Sequence, residues 1–300
     1  MTVDVRRLET ELARRMGRNT LDLAPVRVRC RWPVYRAVSP GCAPVFVKLT
    51  ERASAEKTLE FLSGAEGCAF LPKPLLDEAF DFDGTAVLCL EWKEASSVNA
   101  EDMTEGQLLS FAEACKTLSD VLGRYGGAVR PVGEDDPERQ YRVLAEYAAR
   151  HPLAGRMLRP LLSIPEAART YSGRGCVTIH GDFQPKNYGF AGDRFAAVFD
   201  FDALTKGLAC EDAAYAFTER ARRAELSAAA RRRLETLFSR LVSASPWPRE
   251  EWRIAVSHAR LRIAARRLDR HPDSAFIAFD IARRDRPLRR LAAILEDGHA

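Results

Sequence analysis

The sequence predicts an α+β fold of two lobes, in which a small antiparallel β lobe precedes a larger, mainly helical lobe. Residues 1–92 are dominated by short apolar segments separated by turn residues, which is typical of strands. Residues 93–300 are dominated by longer segments with apolar residues at helical spacing. We therefore expect a lobe boundary near residue 92. A cleft between two lobes is a usual place for a small-molecule site.

The β lobe should begin with an amphipathic helix over residues 4–17, where apolar residues recur at helical spacing. One further helix is predicted over residues 52–63. Five short segments read as strands, of which the first three would form an antiparallel meander and the last two a hairpin. These predicted strands are Val26–Arg31, Tyr35–Val38, Val45–Leu49, Leu75–Phe80 and Thr85–Trp92.

The second lobe should be built from helices around one short β segment. Val177–Asp202 reads as strand, polar loop, strand, turn and strand, and helices are predicted on both sides of it. The arginines within 231–233 and 283–290 are spaced as helix faces and do not form a compact basic block. The predicted helices are Gln107–Leu122, Gln140–Arg150, Leu153–Leu162, Glu166–Tyr171, 211–223, 226–243, 249–269, 273–283 and 286–297.

Composition indicates a globular protein of the cytoplasm. The chain has 300 residues, 46% of them hydrophobic, which suffices for a large core. Its seven cysteines include no Cys-x-x-Cys pair, so we expect reduced core thiols. The N-terminal residues lack the apolar segment of a secretory signal, and no apolar segment approaches the roughly 18 residues of a membrane-spanning helix.

Charge is unevenly distributed along the chain. Residues 96–215 hold 13 basic and 17 acidic side chains, and an acidic region suits a cationic partner such as a metal ion. Residues 216–300 hold 19 basic and 11 acidic side chains. Solvated helix faces explain this basic end best. Nucleic-acid binding is disfavoured, because the basic residues are not interleaved with aromatic residues and no nucleic-acid-binding module is recognisable.

The polar loop in the middle of the chain carries the residues with the clearest chemical purpose. Asn187 offers an amide oxygen and Asp200 a carboxylate, which is a sensible protein share of the ligands around Mg²⁺ when phosphates complete the shell. Asp182 would then be free to accept a proton or to orient a hydroxyl. A metal, a positioned nucleophile and positive charge on the phosphates are what phosphoryl transfer needs.

The motif HGDFQPKN at 180–187, followed by FDFD at 199–202, resembles the aminoglycoside phosphotransferase/choline kinase-like family. The resemblance implies a protein-kinase-like fold. It also implies transfer of the γ-phosphoryl group of ATP, with Mg²⁺, to an alcohol such as an aminoglycoside, a choline-like compound, a sugar or an amino-alcohol. The acceptor and the oligomeric state stay open.

Residue roles follow from the same resemblance. Asp182 matches the catalytic aspartate, and Asn187 and Asp200 match the metal-binding pair. Lys48 matches the strand lysine that contacts phosphate. Its helix partner would be Glu56, with Glu60 as the alternative.

Supporting roles are implied as well. Residues 91–93, which are Glu91, Trp92 and Lys93, would form the hinge that holds adenine. His180 would be structural, and Lys186 would point either at the γ-phosphate or at solvent. Asp202 is more often a structural cap than a second metal ligand. Asp212 would support the catalytic loop.

The sequence also departs from the kinase pattern. The loop RCRWPVY has no glycine, and Pro33 has no N–H to offer a phosphate, although Arg31 or Arg36 could compensate. Gly181 stands where most protein kinases have arginine, and no APE-like segment follows, so phosphorylation of proteins is disfavoured. The alternative to a small-molecule kinase is a catalytically weak nucleotide-binding scaffold.

Overall fold

The computed structural model describes residues 3–26, 32–65, 67–127, 129, 136–171, 174–223, 225–271 and 276–296. It contains a small antiparallel sheet and a larger helical part, which confirms the predicted α+β class. In the described parts of the chain, no helix is both long enough and apolar enough to cross a membrane. The first elements are α1 (Val5–Arg15), β1 (Asp22–Pro25), β2 (Val34–Val38), β3 (Val45–Thr50), α2 (Arg52–Gly64), β4 (Phe80–Phe82) and β5 (Thr85–Glu91).

Helices dominate the rest of the chain. Two short antiparallel pairs interrupt them, β6 with β9 and β7 with β8. The elements are α3 (Glu105–Gly123), α4 (Pro137–Arg150), α5 (Pro152–Leu162), β6 (Val177–Ile179), β7 (Tyr188–Ala191), β8 (Arg194–Val198), β9 (Thr205–Gly207), α6 (Glu211–Ala221), α7 (Ala228–Ala244), α8 (Arg249–Arg270) and α9 (Ile277–Glu296).

The five-stranded sheet has the order β1-β2-β3-β5-β4, and all of its pairs are antiparallel. In β3, Val45, Val47 and Leu49 belong to the core between α1 and the sheet. Because successive side chains on a strand point to opposite faces, Phe46 and Lys48 lie on the other face, towards the helical part. The strand period therefore aims Lys48 at the rest of the molecule.

One strand prediction differs from the structure, and another lies almost wholly outside the described residues. The first strand is Asp22–Pro25 and ends before the predicted Val26–Arg31, of which residues 27–31 lie outside the described residues. The fourth strand is Phe80–Phe82 and shares only Phe80 with the predicted strand Leu75–Phe80. Its hairpin turn is the pair Asp83 and Gly84, which both have positive φ, as a tight two-residue hairpin requires.

Two helix predictions also differ. Only Glu166–Ala168, within the predicted helix Glu166–Tyr171, is helical, as a single 3₁₀ turn. The two predicted C-terminal helices form one helix, α9, with Pro287 inside it. Packing of α9 against α8 and α5 compensates for the hydrogen bond that a proline removes.

Candidate active site

The loop between β6 and β7 is held in a shape that demands glycine at its start. Gly181 has φ of 79°, and a Cβ there would overlap the carbonyl oxygen of Ala203. No other residue fits this position without displacing the backbone. The glycine that replaces the arginine of most protein kinases is therefore a steric requirement of this loop.

Asp212 fixes the backbone of the same loop. Its carboxylate accepts hydrogen bonds from the backbone N–H of His180 at 2.7 Å and from that of Gly181 at 3.0 Å. Burial raises the pKa of Asp212, although the two N–H donors oppose that shift. The structure thus places Asp212 where it supports the loop backbone and not where a substrate would meet it.

His180 connects the loop to the end of β8. Its Nε2 lies 2.8 Å from the carbonyl oxygen of Phe199, and its Nδ1 lies 3.3 Å from the backbone nitrogen of Asp182. A neutral ring that donates from Nε2 and accepts at Nδ1 satisfies both contacts. With both nitrogens engaged and the side chain fully buried, His180 serves as scaffold.

Asp182 presents a carboxylate whose two oxygens are both oriented by neighbours. Gln184 Nε2 donates to Oδ1 at 2.6 Å, and Asn187 Nδ2 donates to Oδ2 at 3.1 Å. Lys186 Nζ lies 3.4 Å from Oδ2. The side chain remains one-quarter exposed, so this fixed carboxylate is accessible to a ligand.

Asn187 and Asp200 supply oxygen atoms of the kind that Mg²⁺ prefers. The Nδ2 of Asn187 also donates to the backbone oxygen of Asp182 at 2.8 Å, which leaves its Oδ1 as the ligand atom. Phe199 N donates to Asn187 O at 2.8 Å and so brings Asp200 beside Asn187. The donor set therefore fits a hard cation that also binds phosphate, although no group of three or more acidic, cysteine or histidine side chains forms a metal cluster among the described residues.

Lys48 reaches across to these carboxylates. Its Nζ lies 2.6 Å from Asp200 Oδ1 and 2.8 Å from Asp202 Oδ2, and the side chain is only 8% exposed. Burial opposes both charges, but their attraction outweighs it. The pKa of Lys48 is consequently raised and that of Asp200 lowered, so both groups stay charged near neutral pH.

The structure does not bring Lys48 to either predicted glutamate. Glu56 is 62% exposed and pairs with Arg52 at 3.8 Å, and Glu60 accepts a hydrogen bond from Tyr125. The α2 side chain that reaches the site is Lys57, whose Nζ donates to the backbone oxygen of Asp202 at 2.8 Å. Neighbouring helix positions are about 100° apart around the axis, so Glu56 faces away when Lys57 faces in.

A cleft of about 220 Å³ lies between the sheet and the helical part, next to these residues. Phe46 and Lys48 line it from the sheet, and Asn187 and Asp200 line it from the other side. The Phe46 ring stacks on Phe199, with 5.6 Å between centroids. The cleft therefore joins an apolar region to a charged end, as a nucleotide would need.

The predicted hinge borders this cleft only in part. Trp92 and Lys93 line it, whereas Glu91 does not and instead pairs with Lys93 at 2.9 Å. Arg36 lies over the Trp92 ring at 5.1 Å and pairs with Glu94, so it is occupied at the hinge. Arg31, the other residue considered for phosphate, lies outside the described residues.

A buried ionic network below the loop was not predicted. Glu211 bonds His258 Nδ1 at 2.7 Å and Tyr171 at 3.0 Å, and Arg262 reaches both Glu211 and the Gly181 carbonyl at 3.5 Å. Burial opposes ionisation of Glu211, but His258 and Arg262 outweigh it and lower its pKa. In the sequence, the one available signal was the i, i+4 spacing of His258 and Arg262, which does not reveal their partner.

Comparison with known proteins shows the family of this chain. The model of the phosphotransferase enzyme family (APH) matches residues 31–250. No curated protein matches the chain. Because the family match spans most of the chain, it also supports the resemblance inferred from the HGDFQPKN motif.

Solved structures show the same fold at low identity. Aminoglycoside phosphotransferase APH(4)-Ia, in a ternary complex with ADP and hygromycin B, is 14% identical over 98% of this chain and 99% of that chain, with a TM-score of 0.59. Macrolide 2'-phosphotransferase MphH from Brachybacterium faecium is 15% identical over 98% and 99%, with a TM-score of 0.53. The ethanolamine kinase of Plasmodium vivax is 11% identical over 90% and 81%, also with a TM-score of 0.53.

These likenesses confirm the predicted protein-kinase-like fold. The chain belongs to the phosphotransferase enzyme family.

Proposed function

We propose that this protein transfers the γ-phosphoryl group of ATP to a hydroxyl group of a small molecule. The observation that carries the proposal is the convergence of Lys48 and Asp200 at the charged end of the cleft, with Asn187 beside Asp200 and bonded to Asp182. A phosphate-binding cation, two oxygen ligands for a metal and an accessible carboxylate are the parts that phosphoryl transfer uses.

The nucleotide would lie in the cleft with its base between apolar side chains and its phosphates near Lys48. Phe46 and Trp92 supply aromatic surface there. Asn187 Oδ1 and the Asp200 carboxylate would hold Mg²⁺, which when bound neutralises charge on the phosphates. Lys48 already lies between two carboxylates, so a phosphate oxygen would replace one of its present partners.

Asp182 would position the acceptor hydroxyl. Its carboxylate is held by Gln184 and Asn187, so the side chain loses little conformational entropy when a hydroxyl donates to it. The transition state of phosphoryl transfer is loose, and little proton transfer is needed early. Asp182 would therefore act mainly by orienting the nucleophile.

The test is Asp182→Asn, assayed by ADP release over a panel of alcohol-bearing metabolites and antibiotics. We expect turnover to fall by about 10²–10⁴-fold while nucleotide affinity changes little, because the side chain faces the acceptor and not the nucleotide. Asp81→Asn, on an exposed edge strand, is the matched control and should keep full turnover. Undiminished turnover in Asp182→Asn would exclude the assignment.

A catalytically weak nucleotide-binding scaffold is the second candidate. The glycine-free segment around Pro33 and the absence of a Lys48–Glu56 contact in the described structure favour it. The oriented carboxylate of Asp182 favours the enzyme, because a scaffold has no use for it. Mg²⁺-dependent ATP hydrolysis by the purified protein separates the two candidates.

A further inference from the structure

A second cavity, of about 700 Å³, lies between α7 and α9 near the carboxyl end of α6. Among the described residues, ten line it, of which seven are arginines and one, Glu235, is acidic. α6 separates it from the catalytic loop: Asp212 lies in the first turn of that helix, and Arg222 lines the cavity ten residues later. Ten helical residues span about 15 Å, so the cavity is distinct from the loop at the other end of α6.

Two basic helix faces meet at this cavity. α7 contributes residues 228, 231, 232 and 235, and α9 contributes 283, 286, 287 and 290 together with the adjacent Arg284. Both sets follow the i, i+3, i+4, i+7 spacing of one helix face. In the sequence, these arginines were expected to be solvated faces. The fold instead turns the two faces towards one concavity, where like charges repel.

Several of these arginines are held in place. Arg231 donates to the backbone oxygens of Ala221 at 3.0 Å and Arg223 at 2.8 Å, at the carboxyl end of α6. Both acceptors are backbone carbonyl groups, so these two contacts do not neutralise its charge. Arg284 pairs with Asp280 at 3.0 Å. Fixed guanidinium groups lose less freedom when they bind a ligand than mobile ones.

The positive charge is not fully compensated. Four of the lining arginines have a carboxylate partner at 2.5–3.5 Å, namely Arg222, Arg283, Arg284 and Arg290. In the described part of the chain, neither Arg232 nor Arg286 has a carboxylate within ion-pair distance. A concave surface lined by one sign of charge focuses the field and concentrates counter-ions. The cavity therefore combines uncompensated charge with guanidinium groups that are already oriented.

We propose that this arginine cavity binds a small polyanion, a molecule that carries two or more phosphate or carboxylate groups. The guanidinium group offers paired donors that match both of these anions. The volume falls within the usual range for small-molecule sites. Nucleic acid fits less well, because none of the described lining residues is aromatic, so they offer bases no ring to stack on.

The test is calorimetric titration of the purified protein with sodium tripolyphosphate, and separately with tricarballylate, at low salt. We expect binding that weakens at least about tenfold in the double variant Arg232→Gln/Arg286→Gln, since two charge-assisted contacts are lost. The matched control is Arg156→Gln/Arg270→Gln, which removes two exposed arginines outside the cavity and should bind as the parent does. The better ligand of the two identifies phosphate or carboxylate as the preferred group.

The Lys48→Met variant separates this site from the nucleotide cleft, which also attracts phosphates. Tripolyphosphate binding that survives in Lys48→Met and is lost in the cavity variant supports the proposal, even if the protein proves to have no kinase activity. Loss of tripolyphosphate binding only in Lys48→Met would overturn the proposal. Absence of binding to the parent protein would also overturn it, as would equal weakening in Arg156→Gln/Arg270→Gln. Tighter binding of a duplex or single-stranded RNA oligonucleotide to the same arginines would replace it with a nucleic-acid site.

Discussion

At the residue scale, the loop between β6 and β7 depends on contacts that leave few substitutions open. Gly181 is required by its positive φ, and Asp212 satisfies two consecutive backbone N–H groups of the loop. The HGDFQPKN motif indicated which residues this loop would contribute to the candidate site. It did not reveal that Lys48 would bridge Asp200 and Asp202, because side-chain partners 152 and 154 positions away leave no trace in a single sequence.

Asp212→Asn tests the support of the loop. An amide has one acceptor oxygen, so its NH₂ group would face one of the two N–H donors of His180 and Gly181. We expect a loss of about 1–3 kcal/mol in the free energy of unfolding and a lower kcat, measured by urea unfolding and ADP release. Asp120→Asn, on the exposed face of α3, is the control. Equal effects in both variants would argue against a special role for Asp212.

Asp280 offers a test by pH. Partial burial raises the pKa of Asp280, but three arginines (Arg267, Arg284 and Arg283) outweigh this effect and lower the pKa to about 2. A lowered carboxylate pKa stabilises the folded state at pH values above 3.8, the pKa of the unfolded chain. This contribution is lost as the pH falls from 3.8 towards about 2.

Asp280→Asn should therefore cost about 1 kcal/mol at pH 7, a figure reduced for solvent screening of this partly exposed cluster. The difference from the parent should shrink between pH 4 and pH 3. Urea unfolding at several pH values measures it, with Glu113→Gln on the exposed face of α3 as the control. A difference that stays constant down to pH 3 would show that the carboxylate charge is not responsible.

At the element scale, long periodic segments were predictable and short ones were not. The predictions for α3, α7 and α8 agree closely with the structure, because their apolar faces are long enough to fix both type and extent. The strand Asp22–Pro25 was not predicted, and β4 begins later than predicted, because pairing with neighbouring strands decides where such short strands begin. The 3₁₀ turn after Pro165 and the continuous α9 depend likewise on tertiary packing.

The orientation of α2 is the element-scale feature with the clearest functional consequence. It presents Lys57 to the site and leaves Glu56 in solvent with Arg52. Glu56→Gln should accordingly leave kcat/KM within about twofold, because an exposed ion pair contributes little. Lys57→Gln should lower kcat/KM more, since Lys57 contacts the Asp202 backbone.

A tenfold or larger loss in Glu56→Gln would contradict this expectation. It would mean that α2 turns to bring Glu56 to Lys48 once nucleotide is bound. Glu51→Gln, at the start of the same helix, controls for a change of charge at this surface.

At the scale of the whole molecule, a buried ion pair joins helices of the helical part. Arg260 on α8 donates from Nε to Asp285 Oδ1 on α9 at 2.7 Å, and its NH2 group also donates to the Pro160 carbonyl of α5 at 3.0 Å. Both charged side chains are at least nine-tenths buried. Three helices therefore depend on one guanidinium group whose charge has been removed from water.

Asp285→Ala should cost about 3–5 kcal/mol in the free energy of unfolding, because it leaves Arg260 buried without its counter-charge. Arg260→Met/Asp285→Leu should recover most of that loss, since an apolar pair of similar volume avoids the desolvation penalty. Arg289→Ala, which removes only the half-exposed partner of Asp285 at 3.5 Å, should cost less than about 1 kcal/mol. Urea unfolding of the four proteins measures these differences. A double variant as unstable as Asp285→Ala would show that the ion pair itself, and not merely the avoidance of an unpaired charge, holds α5, α8 and α9 together.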